Sequence, residues 1–156
     1  MNTTKKIDKI RTLLPYAFAG AVILLLLGGL KAYSSMYQGW AANLLESATE
    51  QAPEQKNRIY QEVIKKYSRS GAADLARIRL GSEALQEKKY DEAIDWYLPL
   101  TQKAHLSLLR ITALEDLALA WKGKGDLNKS VEYLKRASDD HANAARDYTQ
   151  FLLARV

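Results

Sequence analysis

The chain has 156 residues, which is enough for a membrane anchor and one domain of roughly 100 to 120 residues. It contains no cysteine, and this excludes disulfides, thiolate nucleophiles and cysteine-bound metal centres. Most of the net charge of +5 comes from residues 1–31, which hold five basic residues and one acidic residue. The other 125 residues hold 18 basic and 17 acidic side chains, so they lack the basic surface that nucleic acid binding requires.

The first predicted element is a transmembrane helix at 13–34. Its residues 13–30 carry no charge. With an extension to Tyr33 the run is about 30 Å of helix, the thickness of a bilayer's hydrocarbon core. Pro15 lies in the first turn, where its missing amide costs little. The aromatic residues Tyr33, Tyr37 and Trp40 lie at the far end, where such rings favour the headgroup layer. A single span in a lipid bilayer is therefore predicted.

The charges on the two sides of this span predict its orientation. Four basic residues lie in the tail at 1–12, whereas three glutamates follow the span before the next lysine. The positive-inside rule then places the N-terminus in the cytoplasm and the remainder in the periplasm of a bacterium, with the span in the inner membrane. A cleaved signal peptide is the alternative, since Ala32 and Ser34 would suit a cleavage site, but the apolar run is longer than such a peptide usually has.

The rest of the chain is predicted to be helical. Apolar residues recur every three or four positions from Tyr33 to Ala48, so the anchor helix is expected to continue to about Glu50, through a juxtamembrane segment at 35–52. Pro53 suits the first turn of a new helix. No segment alternates as a strand does. Further apolar stripes and breaks predict helices at 54–67, 71–87, 90–103, 107–123, 127–138 and 142–155.

Two segments of this helical region resemble each other at an offset of 37 residues, LGSEALQEKKYDEAIDWYLPL at 80–100 and LALAWKGKGDLNKSVEYLKRA at 117–137. A helix pair that repeats at 34 residues or slightly more is typical of tetratricopeptide (TPR) repeats, and both segments resemble that family. The resemblance implies small and bulky residues that pack the two helices of a repeat together. These repeat-packing residues are Gly81, Ala93, Tyr97, Ala118, Ser130 and Leu134.

The predicted fold is therefore all-α: a transmembrane helix followed by TPR-like antiparallel helix pairs in an α-solenoid. Pro99 departs from the family pattern and is expected to kink or end its helix, because it lacks the amide donor. A coiled coil is the alternative, but the spaced small residues oppose it. The repeat domain is expected at 53–156, with a half-repeat at 54–70, repeats at 71–105 and 107–139, and a partial or capping helix at 142–156.

Few residues suggest catalysis. His105 and His141 lie at predicted helix breaks and lack the i, i+4 spacing that helical metal sites use, so both are interpreted as surface residues. The segment from Gly123 to Asp126 lacks the spacing and the preceding strand of a phosphate-binding loop, and it is interpreted as a turn. No catalytic residue, metal or cofactor is predicted, and the chain is not expected to be an enzyme.

In the TPR family, the first helices of stacked repeats form a concave face that binds peptides or partner proteins. A subset of that family holds a C-terminal carboxylate with lysine and asparagine, which are absent here at the corresponding positions. The mixed, rather apolar character of this face favours apolar or unfolded segments. The partner-binding residues expected on it are Leu75, Ile78, Arg79, Ser82, Leu85, Thr112, Glu115, Asp116 and Leu119.

The whole layout, a basic tail, one span and then TPR-like repeats, resembles the YfgM family, the ancillary subunit of the SecYEG translocon in bacteria. The resemblance lies in architecture and implies a periplasmic holdase or scaffold. Its implied partners are translocon subunits, exported or unfolded polypeptides and a membrane-anchored folding factor. Two alternatives remain: a scaffold of another envelope machine, such as cell division, secretion or outer-membrane biogenesis, or the anchor portion of a longer enzyme whose catalytic part follows Val156.

Overall fold

The structure is a computed structural model that describes the backbone of residues 3–156 and the side chains of Tyr16 and of 18–156. The side chains of the predicted tail at 1–12 and of Pro15 lie outside this description. No strand occurs among the described residues, so the all-α prediction is confirmed. The helices are α1 (Thr3–Glu46), α2 (Pro53–Lys66), α3 (Gly71–Gln86), α4 (Tyr90–Tyr97), α5 (Leu100–Lys103), α6 (Ser107–Gly123), α7 (Leu127–Asp139) and α8 (Arg146–Leu153).

The chain forms two compact units, Met1–Tyr37 and Gln38–Val156. In the first unit, the large apolar side chains described between Phe18 and Met36 are exposed. By length and apolar composition, the helical segment Phe18–Glu46 could cross a membrane, and it is the one such segment in the described part of the chain. Ala41, in the second unit, is fully buried, so the end of this segment belongs to the folded unit.

Helix α1 ends at Glu46, before the predicted end at about Glu50. The Ser47 hydroxyl donates to the carbonyl of Leu44 at 2.6 Å, and the Thr49 hydroxyl donates to the carbonyl of Glu46 at 2.7 Å. Such local hydroxyl bonds compete with the helical ladder, so residues 47–50 form turns and the chain reverses towards α2.

The second unit begins at Gln38, earlier than the predicted repeat domain at 53–156. The Gln38 side chain accepts a hydrogen bond from the Gly71 amide at 3.1 Å. Leu44 and Leu45 pack against a buried cluster that joins the turn after α1 to α2 and α3. Residues 38–52, predicted as a juxtamembrane linker, therefore form part of the folded unit. The buried members of this first cluster are Ala48, Tyr60, Val63, Ala73, Ala76 and Leu80.

A second buried cluster joins α3, α4, α5 and α6. Half of its members are alanines, which allow the helix backbones to approach closely and pack without voids. Helix α7 closes the other side of α6 through its buried face of Ser130, Leu134 and Ala137. The members of the second cluster are Ala84, Ala93, Ile94, Tyr97, Leu100, Ala113, Leu117 and Ala120.

Two helix boundaries depend on local chemistry. The predicted helix at 90–103 is divided into α4 and α5 at Pro99, as expected from its missing amide donor. Helix α8 begins at Arg146, later than the predicted start at 142. The reason is Asn143, whose buried side chain donates to the Ala137 carbonyl at 2.8 Å and accepts from the Ala145 amide at 2.9 Å. These bonds satisfy backbone groups of the loop and so favour a loop over a helix at this point.

The turns that join α3 to α4 and α6 to α7 have the same backbone structure at the offset of 37 residues. Lys88 and Gly125 both adopt a left-handed conformation, with φ of 60° and 84°. In each turn the next amide, of Lys89 or Asp126, donates to the carbonyl five residues earlier, at 2.8 Å and 3.0 Å. This pattern is a Schellman C-cap. The sequence similarity of the two segments thus corresponds to a repeated local structure.

Candidate functional site: an apolar groove

An open groove of about 690 Å³ lies on the second unit, bounded by the end of α1, the first turns of α2 and the first half of α3. Its volume is within the range of sites that bind small molecules or side chains of a partner. Most of its surface is apolar, and Leu45, Tyr60 and Leu75 are its large apolar residues. The complete lining is Ala42, Leu45, Glu46, Thr49, Lys56, Tyr60, Gly71, Ala72, Leu75 and Arg79.

Two of the nine predicted partner-binding residues, Leu75 and Arg79, line this groove. Ile78 and Leu85 lie on the same helix but are half-buried, and both pack against the second buried cluster. The predicted residues of α3 therefore divide into two groups: some line the groove and others pack against the core. The sequence pattern indicates that these positions are apolar, and only the neighbouring helices decide which of them face solvent.

The predicted partner-binding residues on α6 differ in exposure and in their contacts. Leu119 is 39% exposed and available to a partner. Thr112 is half-buried. Glu115 accepts a hydrogen bond from the hydroxyl of Thr149 on α8, so its carboxylate joins α6 to the end of the chain. None of these three lines the groove between α1, α2 and α3.

Ser82 and Asp116 lie near the buried hydroxyl of Tyr97, where α3, α4 and α6 meet. The hydroxyl makes no hydrogen bond of standard geometry with any described group. Burial raises the pKa of the Asp116 carboxyl above its ordinary value, while the nearby Tyr97 hydroxyl opposes the rise by favouring the charged form. Burial and the charge of Asp116 also raise the pKa of Tyr97.

All six predicted repeat-packing residues are buried. Gly81 is in close contact with a neighbouring helix, because a Cβ added there would come within 2.7 Å of ring atoms of Tyr97. At the 37-residue offset, Ala118 corresponds to Gly81 and Leu134 corresponds to Tyr97. The small residue is thus larger in the second segment, and the bulky residue is smaller. Repeat packing itself stays a prediction, but the volumes at these positions change in the compensating direction.

The lining of the groove includes three charged residues, Glu46, Lys56 and Arg79, which are called its rim below. In the described part of the chain neither Lys56 nor Arg79 has an ion-pair partner. By contrast, Lys66 of α2 forms an ion pair with Glu62 at 2.5 Å. The rim therefore carries one acidic and two basic groups.

His105 is exposed, as predicted, but its ring also contacts a buried carboxylate. Its ring is 39% exposed, but its Nδ1 lies 2.7 Å from Oδ2 of Asp74, and its backbone amide donates to the same oxygen at 2.8 Å. Arg77 adds a longer contact of 3.4 Å to the other carboxylate oxygen. Since Asp74 is only 3% exposed, these bonds satisfy a buried charge and hold the loop before α6 against α3. His141 is exposed, as predicted.

The groove residues from α1 and α2 were missed by sequence reasoning. The apolar recurrence at Ala41, Leu44 and Ala48 is the sequence signal for this part of the groove, because it indicates a helical face that packs against other helices. The segment from Gly123 to Asp126 is a helix end and a turn, as predicted, but Gly123 also accommodates the ring of Tyr90.

Among the described residues, no three His, Asp or Glu side chains converge as a metal site would require. Comparisons with protein-family models, with curated proteins and with solved structures found no match.

Proposed function

We propose that this chain is a single-pass membrane protein whose helical unit is a TPR-like protein-interaction module that binds apolar or unfolded polypeptide segments. The observation that supports this most is the open apolar groove of about 690 Å³ formed by α1, α2 and α3. Burial of one leucine-sized side chain contributes about 1.5 to 3 kcal/mol, so a groove that accepts two or three of them supports reversible binding of a peptide.

The repeated Schellman turns support the TPR-like part of the proposal. Consecutive helix pairs with the same turn, at an offset close to the family's repeat length, are what stacked repeats require. The exposed apolar segment from Phe18 to Met36 supports the membrane anchor. The excess of basic residues before it supports a cytoplasmic N-terminus and a periplasmic helical unit in a bacterial inner membrane.

The proposed setting is the Sec translocon, where the groove would meet emerging exported polypeptides as a holdase or scaffold. The support is architectural, the resemblance of the layout to the YfgM family. Translocon subunits and a membrane-anchored folding factor are the proposed stable partners, and exported or unfolded chains are the transient ones. In this setting the module binds and releases, so micromolar rather than nanomolar affinity is expected.

Site-specific photocrosslinking in living cells tests this function. A photoreactive amino acid at Leu75 would lie in the groove, and the same amino acid at exposed Lys135 on α7 is the matched control. Leu75 is preferable to Ile78, which packs against the core. We expect crosslinks from Leu75 to nascent exported chains and to translocon subunits, with few from Lys135. Crosslinks to one stable component of a different envelope machine would contradict the holdase and favour a scaffold.

A further inference from the structure

The rim of the groove has an uneven charge. Lys56 extends from the first turn of α2 and Arg79 from the middle of α3, so two basic residues from different helices line the same opening. Glu46 is the one acidic residue in the lining. Neither cation forms an ion pair among the described residues, although Glu62 of α2 and Asp74 of α3 pair with other basic groups.

We propose that the groove selects segments in which apolar residues are accompanied by an acidic side chain. This inference rests on the proposed function, because it names the class of peptide that the same groove prefers. Leu45, Tyr60 and Leu75 would cover the apolar residues of the ligand, and Lys56 and Arg79 would pair with its carboxylate. A guanidinium is a strong carboxylate partner because it can donate two parallel hydrogen bonds.

The two contributions have different roles. Apolar burial supplies most of the affinity, since it removes whole side chains from water. Ion pairs at an exposed rim are weak and are screened by salt, so the two cations together should give a preference of about threefold to tenfold. Such a preference leaves many apolar segments as ligands and disfavours basic ones, because a basic side chain would be repelled by two cations.

Fluorescence anisotropy with the full chain in detergent micelles tests the inference. Three labelled peptides share one apolar sequence and differ at two flanking positions, which are both Glu, both Gln or both Lys. We expect the Glu peptide to bind about fivefold more tightly than the Gln peptide at low salt, and the Lys peptide to bind most weakly. Added salt should reduce these differences. Equal affinity for the Glu and Gln peptides, or a preference for Lys, would overturn the inference.

Two double variants assign the preference to the rim. Lys56→Gln with Arg79→Gln should bind the Glu and Gln peptides equally. Arg58→Gln with Lys65→Gln makes the same charge change at exposed positions of α2 outside the groove, and it should keep the preference. If both variants lose the preference equally, net charge explains it and the groove does not.

A third variant separates this inference from the proposed function. Leu75→Ser removes apolar surface from the groove and should weaken the binding of all three peptides. If Leu75→Ser has no effect on any peptide while its helicity by circular dichroism is retained, the groove is not the binding site and the proposed function fails. If Leu75→Ser weakens binding but charge has no effect, only the preference for acidic segments fails.

Discussion

Gly81 lies in the interior of α3 opposite the fully buried ring of Tyr97. We expect Gly81→Ala to lower the free energy of unfolding by about 1 kcal/mol. An alanine gains about 1 kcal/mol of helix propensity, but overpacking against a buried ring costs about 1 to 3 kcal/mol. Denaturant unfolding of the full chain in detergent, followed by circular dichroism, measures the change.

Two further variants make this prediction specific to the ring contact. Gly39→Ala is the matched control, because a Cβ added at Gly39 meets no atom within 4 Å, and it should not destabilise. Gly81→Ala combined with Tyr97→Leu reproduces the Ala118 and Leu134 pair of the second segment. The double variant should lose less stability than the sum of the single variants. Strict additivity would show that the two positions are not coupled.

Asp116 gives a prediction about pH. Burial raises its pKa in the folded state, so the folded protein holds this proton more tightly than the unfolded chain. The contribution of Asp116 to the free energy of unfolding is therefore favourable below the unfolded pKa of about 3.8, and it declines as the pH rises through the folded pKa. We expect Asp116→Asn to be more stable than the wild type at pH 7, with an advantage that shrinks as the pH approaches 3.8. Thermal unfolding across this range measures it, and an advantage that grows on acidification would contradict the assignment.

At the scale of elements, the turns after α3 and α6 differ at one equivalent position. Lys88 holds the left-handed conformation that Gly125 holds in the second turn. A residue with a Cβ pays roughly 1 to 2 kcal/mol for this conformation, and glycine does not. We expect Lys88→Gly to stabilise by about 0.5 to 1 kcal/mol and Gly125→Lys to destabilise by about 1 kcal/mol or more. Denaturant midpoints of both variants test the pair, and the same sign for both would contradict it.

The whole molecule offers a direct test of topology, because the chain has no native cysteine. Thr3→Cys and Lys135→Cys place single thiols before the span and on the exposed surface of α7. With a membrane-impermeant maleimide and intact bacterial spheroplasts, we expect labelling of Lys135→Cys only, and labelling of both after lysis. Labelling of Thr3→Cys alone in intact spheroplasts would reverse the orientation. Loss of the residue 3 thiol from the mature chain would indicate a cleaved signal peptide.

Most of the secondary structure could be predicted from the sequence. Helices α2, α3, α6 and α7 begin and end within about two residues of their predicted limits, since apolar periodicity and breakers are local signals. The boundaries that differed depend on side-chain bonds to the backbone. Ser47 and Thr49 end α1 early, and Asn143 delays α8. Such bonds are local, but composition alone does not reveal whether their free energy exceeds that of the helical hydrogen bonds they replace.

The sequence by itself determined the helical class, one apolar segment able to span a membrane and the offset of 37 residues, because each is a pattern along the chain. Only the tertiary structure decided where the groove lies, since its position depends on how three consecutive helices pack against one another. The stripe of Ala41, Leu44 and Ala48 shows the difference. Periodicity indicates that one face of a helix is apolar, but what covers that face depends on which other helices pack against it.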